Sequence, residues 1–123
     1  MQINREPTER HSIQAYMESE IQVNNIRYQH SLILSKNKII PNWPVKSIQE
    51  LNEETLQPIL QINPEVIIIG HTQPATQLPI SILQHLSNLR IGIECMLIGP
   101  ACRTFNVLLN EHRNVAAGII FRL

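Results

Sequence analysis

Glu65-Val66-Ile67-Ile68-Ile69-Gly70, followed by His71-Thr72-Gln73, is the stretch that decides the architecture of this chain. Its unbroken β-branched run lacks the apolar/polar alternation of a half-solvated strand. It reads as a strand buried on both faces, and strands of that kind belong to parallel sheets. Parallel neighbours need helical crossovers, and the sequence downstream supplies two. Pro79 opens a helix with Ile82, Leu83, Leu86 and Leu89 at helical spacing, and Gly92 offers a left-handed residue to end it. Ile91 to Leu97 reads as the next strand. Gly99-Pro100 starts a third helix, with Ala101, Phe105, Leu108 and Leu109 on one stripe, and Val115 to Phe121 closes the chain as a strand. The second half is therefore β-α-β-α-β, with its strands in one sheet.

Upstream, Ser12 to Ile40 is a series of short apolar stretches broken at Asn24-Asn25 and Asn37, as expected of three or four antiparallel strands. Asn-Asn tolerates positive φ in a tight turn, and Ile21 and Val23 before it balance Ile26 and Tyr28 after it. Ser31-Leu32-Ile33-Leu34 is expected to continue that meander. Pro41-Asn42-Trp43-Pro44 stops regular structure. Asn52 or Thr55 can cap a short helix ending near Gln61, and a Thr55 cap would put Pro58 in the first turn. Met1 to His11 reads as a polar tail, which leaves residues 12–123 as a single α/β domain with a meander followed by a mixed sheet.

The composition excludes several classes of function. Ten Lys plus Arg balance ten acidic residues, so no general attraction to nucleic acid or to an anionic membrane surface is expected. Every acidic residue is Glu, which rules out an internal Ser-His-Asp triad and Asp-based phosphoryl transfer. Apolar residues make up 43% of the chain, yet no uninterrupted apolar run is longer than the four residues Val66 to Ile69, so no integral membrane segment is expected. Two cysteines, Cys95 and Cys102, without an export signal point to reduced thiols and the cytoplasm.

Loops leaving the carboxyl ends of parallel strands gather at one edge, where ligands tend to bind. Here those loops are Gly70-His71-Thr72-Gln73 and Ile98 to Arg103, so His71 and Cys102 could approach one another. Cys102 in the first turn of the third helix, beside Arg103, would have a lowered thiol pKa and a place for an anion. The plainer reading makes Cys102 a packed small residue and His71 a loop imidazole bonded to its own turn. No His-x-x-x-His or Cys-x-x-Cys spacing occurs, so neither a metal nor a cofactor is expected. Arg103, Asn106 and Asn110 share the helix face opposite Phe105 and suit a partner surface or simple solvation. Trp43 suits either a partner anchor or a core cap.

Met96 to Ala117, MLIGPACRTFNVLLNEHRNVAA, resembles the C-terminal signature of the mitochondrial NADH dehydrogenase (complex I) assembly factor 3 family and its uncharacterised bacterial and archaeal relatives. The likeness is carried by Ala101-Cys102-Arg103-Thr104, Asn106-Val107-Leu108, Glu111, Arg113 and Val115-Ala116-Ala117. It departs from the family at Met96-Leu97-Ile98, usually Met-Asp-Thr, at His112, usually glycine, and at Gly70-His71-Thr72, commonly Gly-Thr-Gly. The resemblance implies a three-layer β+β/α fold and a non-enzymatic role in protein interaction or assembly, with respiratory complex I as the most specific form. The expected partner is then a protein, a respiratory dehydrogenase subunit in that form, and the meander edges leave a homo-oligomer open. Gly70, His71, Thr72, Cys102, Arg103 and Asn106 form the expected ligand or partner surface. The alternative is a small enzyme or anion binder built on Cys102, Arg103 and His71.

Overall fold

A computed structural model describes residues 11–73 and 77–122. Met1 to Arg10 of the expected polar tail lie outside the described residues. The chain begins with strands β1 (Ile13–Met17), β2 (Glu20–Val23) and β3 (Ile26–Tyr28), which form an antiparallel sheet in that order. Asn24 and Asn25 take φ of 53° and 66°, the left-handed pair of a tight two-residue hairpin turn.

Strands β4 (Leu32–Ser35) and β5 (Ile39–Ile40) then leave the meander, contrary to the sequence expectation. With β6 (Val66–His71), β7 (Gly92–Leu97) and β8 (Val115–Ile119) they form a five-stranded mixed sheet ordered β5-β4-β8-β6-β7. The reason is burial. All four residues of β4 are buried, whereas the meander strands each keep an accessible side. A strand apolar on both faces belongs inside the central sheet, where it pairs antiparallel with β8. Strands β8, β6 and β7 are parallel, as the β-branched run requires.

Period-two alternation sorts the side chains of this sheet onto two faces. Leu32, Leu34, Ile68, Ala117 and Ile119 pack with the third helix and with Ile13, Ile21 and Val23 of the meander. Ile33, Ile67, Ile69 and Ala116 pack with Leu56, Ile59, Ile82 and Leu86 of the first two helices and with Trp43. The result is the three-layer β+β/α arrangement. Trp43 is a core residue, only 4% exposed, and its Nε1 donates to the Thr55 carbonyl at 2.9 Å. Its ring fills the space over Gly118, where a Cβ would come within 2.7 Å of it.

Helix α1 (Glu53–Leu60) resolves the choice of cap by using both candidates. Asn52 is the cap and accepts from the Thr55 N–H, while the Thr55 hydroxyl accepts from the Asn52 N–H. Pro58 consequently lies inside the helix and not in its first turn. Helix α2 (Ile80–Asn88) buries Ile82 and Leu86 but leaves Leu83 and Leu89 exposed, so its apolar stripe is narrower than the spacing suggested.

The residue that ends α2 is Arg90, with φ of 60°, and Gly92 is instead the first residue of β7. The Ile91 N–H reaches the Leu86 carbonyl at 3.0 Å and the Arg90 N–H reaches Ser87 at 3.0 Å, a Schellman closure. A side chain in the left-handed region is strained there, and glycine is not. Arg90→Gly is expected to raise the unfolding free energy by about 0.5–1 kcal/mol. Chemical denaturation checks this as a shift of the midpoint at constant slope. Helix α3 (Ile98–Asn110) ends in the same way, with His112 at φ of 61° in the place where the resembling family carries glycine.

Candidate functional site

The carboxyl ends of β6 and β7 open onto a cleft of about 300 Å³, and β1 closes its other side. Tyr16, Met17, Glu18, His71, Thr72 and Leu97-Ile98-Gly99-Pro100 line it. The walls are mostly apolar. Tyr16, Met17 and Leu97, respectively 40%, 57% and 45% exposed, put apolar surface at its mouth. The strand-end loops therefore do gather where an α/β sheet gathers them.

Of the six residues expected to form the ligand or partner surface, only His71 and Thr72 line this cleft, together with Ile98, Gly99 and Pro100 of the second expected loop. His71 is 4% exposed, and its Nδ1 accepts from the Gln73 N–H at 3.0 Å, which fixes the neutral tautomer with the proton on Nε2. Burial pushes its pKa below the ordinary imidazole value. Gln73 continues the link, its Oε1 accepting from the Ile48 N–H at 3.1 Å. Gly70 lies beneath the loop and serves packing. A Cβ on it would sit 2.8 Å from the Cβ of Ala101, so the approach of α3 to β6 requires glycine.

Cys102 is placed differently from the sequence expectation. Helix α3 begins at Ile98, one residue before Gly99-Pro100, which makes Cys102 its fifth residue and takes it out of the first turn. The side chain is fully buried among Ile68, Phe105 and Ala117. Burial pushes its thiol pKa up to about 12, against the smaller opposing pull of Arg103. Cys95 is half-buried and pushed up to about 11 by the same cause. A thiol of this kind is a packing group, since the thiolate is the nucleophile. Native protein at neutral pH should leave Cys102 unmodified by a disulfide reagent until it unfolds. Rapid stoichiometric release of the chromophore from Cys102 in a Cys95→Ser background would contradict this.

Arg103 and Asn106 point at the meander. The Arg103 Nη1 donates to the Tyr16 hydroxyl at 2.6 Å, with the guanidinium 5.9 Å from the Tyr16 ring centroid. Asn106 is half-buried and grips the backbone of Ile13 twice. Its Oδ1 accepts from the Ile13 N–H at 2.8 Å and its Nδ2 donates to the Ile13 carbonyl at 2.9 Å. The helix face read as a partner surface is thus largely occupied by β1. Arg113, also in the resembling block, donates to Glu65 at 2.9 Å, and the Asn114 N–H donates to the same carboxylate at 3.2 Å. The Asn114 bond and then Arg113 hold the Glu65 carboxyl below its ordinary pKa. These residues tie the loop after α3 to the start of β6, at the opposite end of the strands from the cleft.

The sequence reading missed Tyr16, Met17, Glu18 and Leu97. Leu97 carried one usable signal, because it stands where the resembling family has Asp. Tyr16 and Met17 of β1 and Glu18 just after it carried none, since an exposed meander strand and a cleft wall have the same alternation. Among the described residues, no group of three or more His, Cys, Asp or Glu is placed to hold a metal ion. Among the same residues, no helix is long and apolar enough to cross a membrane.

Fold and cleft together define a small β+β/α protein whose strand-end crevice is apolar, with its candidate thiol withdrawn into the core. Residues 13–120 match the family described as Protein of unknown function (DUF498/DUF598), and the chain belongs to that family. It is 32% identical over 106 residues to the "13 kDa major membrane protein" of Francisella tularensis subsp. holarctica (strain LVS), covering 85% of this chain and 86% of that one. It is 34% identical over 83 residues to the Drosophila melanogaster NADH dehydrogenase [ubiquinone] 1 alpha subcomplex assembly factor 3, covering 64% of this chain and 42% of the relative. The chain thus spans less than half the length of that relative. The NMR structure of a Xanthomonas campestris protein superposes with a TM-score of 0.82 at 30% identity, covering 98% of this chain and 92% of that one. Complex I assembly factors are therefore among the relatives of this chain.

Proposed function

We propose that this chain is a non-enzymatic, assembly-factor-like protein that binds a protein partner through the cleft between β1 and the ends of β6 and β7. The observation that carries the reading is the composition of that cleft. It offers apolar walls with exposed Tyr16, Met17 and Leu97 at the mouth, while the thiol nearest to a catalytic role, Cys102, is fully buried. Exposed apolar residues around a concavity are what a partner's side chain covers. The relatives named as complex I assembly factors support a respiratory dehydrogenase subunit as that partner. Two free thiols, Cys95 and Cys102, favour the cytoplasm as the compartment. The anion-binding alternative is weakened because Arg103 is engaged with Tyr16 and Cys102 holds its proton.

The test is genetic and biochemical. Cells lacking the chain should accumulate respiratory dehydrogenase subcomplexes on native gels, and a tagged copy should co-purify a dehydrogenase subunit. Normal assembly in the deleted strain, with no dehydrogenase subunit retrieved, would overturn the reading.

A further inference from the structure

Strand β7 is the terminal strand of the five-stranded sheet, and among the described residues no strand pairs with its far side. The Gly92 N–H bonds back to the Glu65 carbonyl at 3.1 Å. Alternation along a parallel ladder then turns the N–H groups of Ile93, Cys95 and Leu97 outward, toward the open edge. Leu97, the last residue of β7, is also a wall of the apolar cleft. A row of open backbone donors therefore leads directly to an apolar hole.

The charge along β7 itself has one sign, and the cation nearest the cleft, Arg103, is engaged with the Tyr16 hydroxyl. Glu94 stands exposed in the middle of β7, Glu18 lines the cleft, and β7 contains no Lys or Arg. Pairing of β7 with a second copy about a two-fold axis would bring the two Glu94 side chains diagonally close, and like charges so placed oppose the pairing. A strand with a basic residue opposite Glu94 meets no such penalty.

We propose that the β7 edge accepts an added strand from the protein partner, with a Lys or Arg opposite Glu94 and a bulky apolar side chain seated in the cleft. The proposal rests on the partner-binding reading above and adds the chemistry of the segment bound. The spacing follows from the pleat. Glu94 and Met96 lie on the α3 side of the sheet, as does the cleft, so the two anchors must share a face and be separated by an even number of residues. The cleft opens just past Leu97, the last residue of β7, so the apolar anchor falls level with Ile98, four residues beyond the basic one in a parallel strand and four before it in an antiparallel strand. Main-chain bonds would supply affinity and these two side chains specificity.

The experiment is selection of displayed random dodecapeptides against the full chain. Enrichment of a basic residue four positions from a bulky apolar one is expected. Glu94→Lys should weaken the enriched peptides by roughly three- to tenfold, and exchanging their basic residue for Glu should restore binding. Leu97→Pro removes one outward N–H and the apolar rim together. Leu97 already has φ of −66°, so proline fits its backbone. That variant should lose most peptide binding while keeping the parent's thermal transition. Peptides lacking the pattern, no enrichment, or binding indifferent to both substitutions would overturn the proposal. So would a Leu97→Pro chain that fully restores dehydrogenase assembly in the deleted strain, and in that case the assembly reading itself would stand. Patterned peptides sensitive to Glu94→Lys, in a strain whose assembly never needed the chain, would keep the edge and remove the assembly role.

Discussion

Phe105→Ala should lower the unfolding free energy by about 3–5 kcal/mol, the cost of emptying a fully buried aromatic site. Among the described residues Phe105 is the largest of the completely buried side chains, and it lies where the meander, α3 and one face of the central sheet meet. It shares one cluster with Ile13, Ile21 and Val23 of the meander and with Leu32, Leu34 and Ile68 of the central sheet. Removing the ring takes contacts from both sheets at once, and a β-sheet cannot collapse into the hole as a loop could. Domains of this size carry roughly 5–15 kcal/mol in total, so the variant should be marginally stable at 25 °C. Urea titration followed by the fluorescence of buried Trp43 measures the loss directly. A loss below about 1 kcal/mol would mean that the meander does not depend on α3, and the three-layer packing would have to be redrawn.

Most of the central sheet was legible because its strands are written in residues that permit little else. Val66 to Ile69 can only be buried on both faces, and the helices on either side carry apolar spacing and punctuation that agree with a parallel crossover. The placement of β4 was not legible in the same way. Leu32-Ile33-Leu34 follows the meander in sequence, and adjacency along the chain argued for adjacency in the sheet. Only the pairing with Ala116 to Ile119 reveals it as an inner strand, and that partner lies more than 80 residues away. Register between distant strands is set by packing, about which local pattern says little.

The site was legible in its position and less so in its members. The rule that strand-end loops form a crevice placed His71 and Thr72 on the wall of this cleft. It failed for Cys102 because that residue was read by its place near the helix start, whereas α3 begins at Ile98 and the helical spacing to Phe105 and Leu109 turns Cys102 toward the core. Cys102 stands three residues before Phe105 and so shares its buried stripe with Ala101, where its thiol is desolvated and keeps its proton. The same block of residues that resembles the assembly-factor family, Ala101 to Ala117, turns out to be occupied chiefly with packing α3 between two sheets.

Asn106 shows this most sharply and leads to the second large effect. Read from sequence, Asn106 and Arg103 share a polar helix face and ought to be replaceable together without harm to the fold. The structure separates them. Asn106 gives both halves of its amide to the backbone of Ile13, while Arg103 meets Tyr16, a residue 40% exposed, at the mouth of the cleft. Asn106→Ala strands a half-buried donor and acceptor of β1 and should cost about 2–3 kcal/mol. Arg103→Ala breaks one exposed contact and should cost less than about 1 kcal/mol. Thermal melts rank the two variants, and amide exchange identifies the cause. The Ile13 amide should lose its protection in Asn106→Ala and retain it in Arg103→Ala. Equal melting of Asn106→Ala and the parent would show that β1 is held by Ile13, Ile21 and Val23 packing alone. The cleft wall formed by Tyr16, Met17 and Glu18 would then owe its position to apolar burial, with no contribution from the amide of Asn106 that grips the Ile13 backbone.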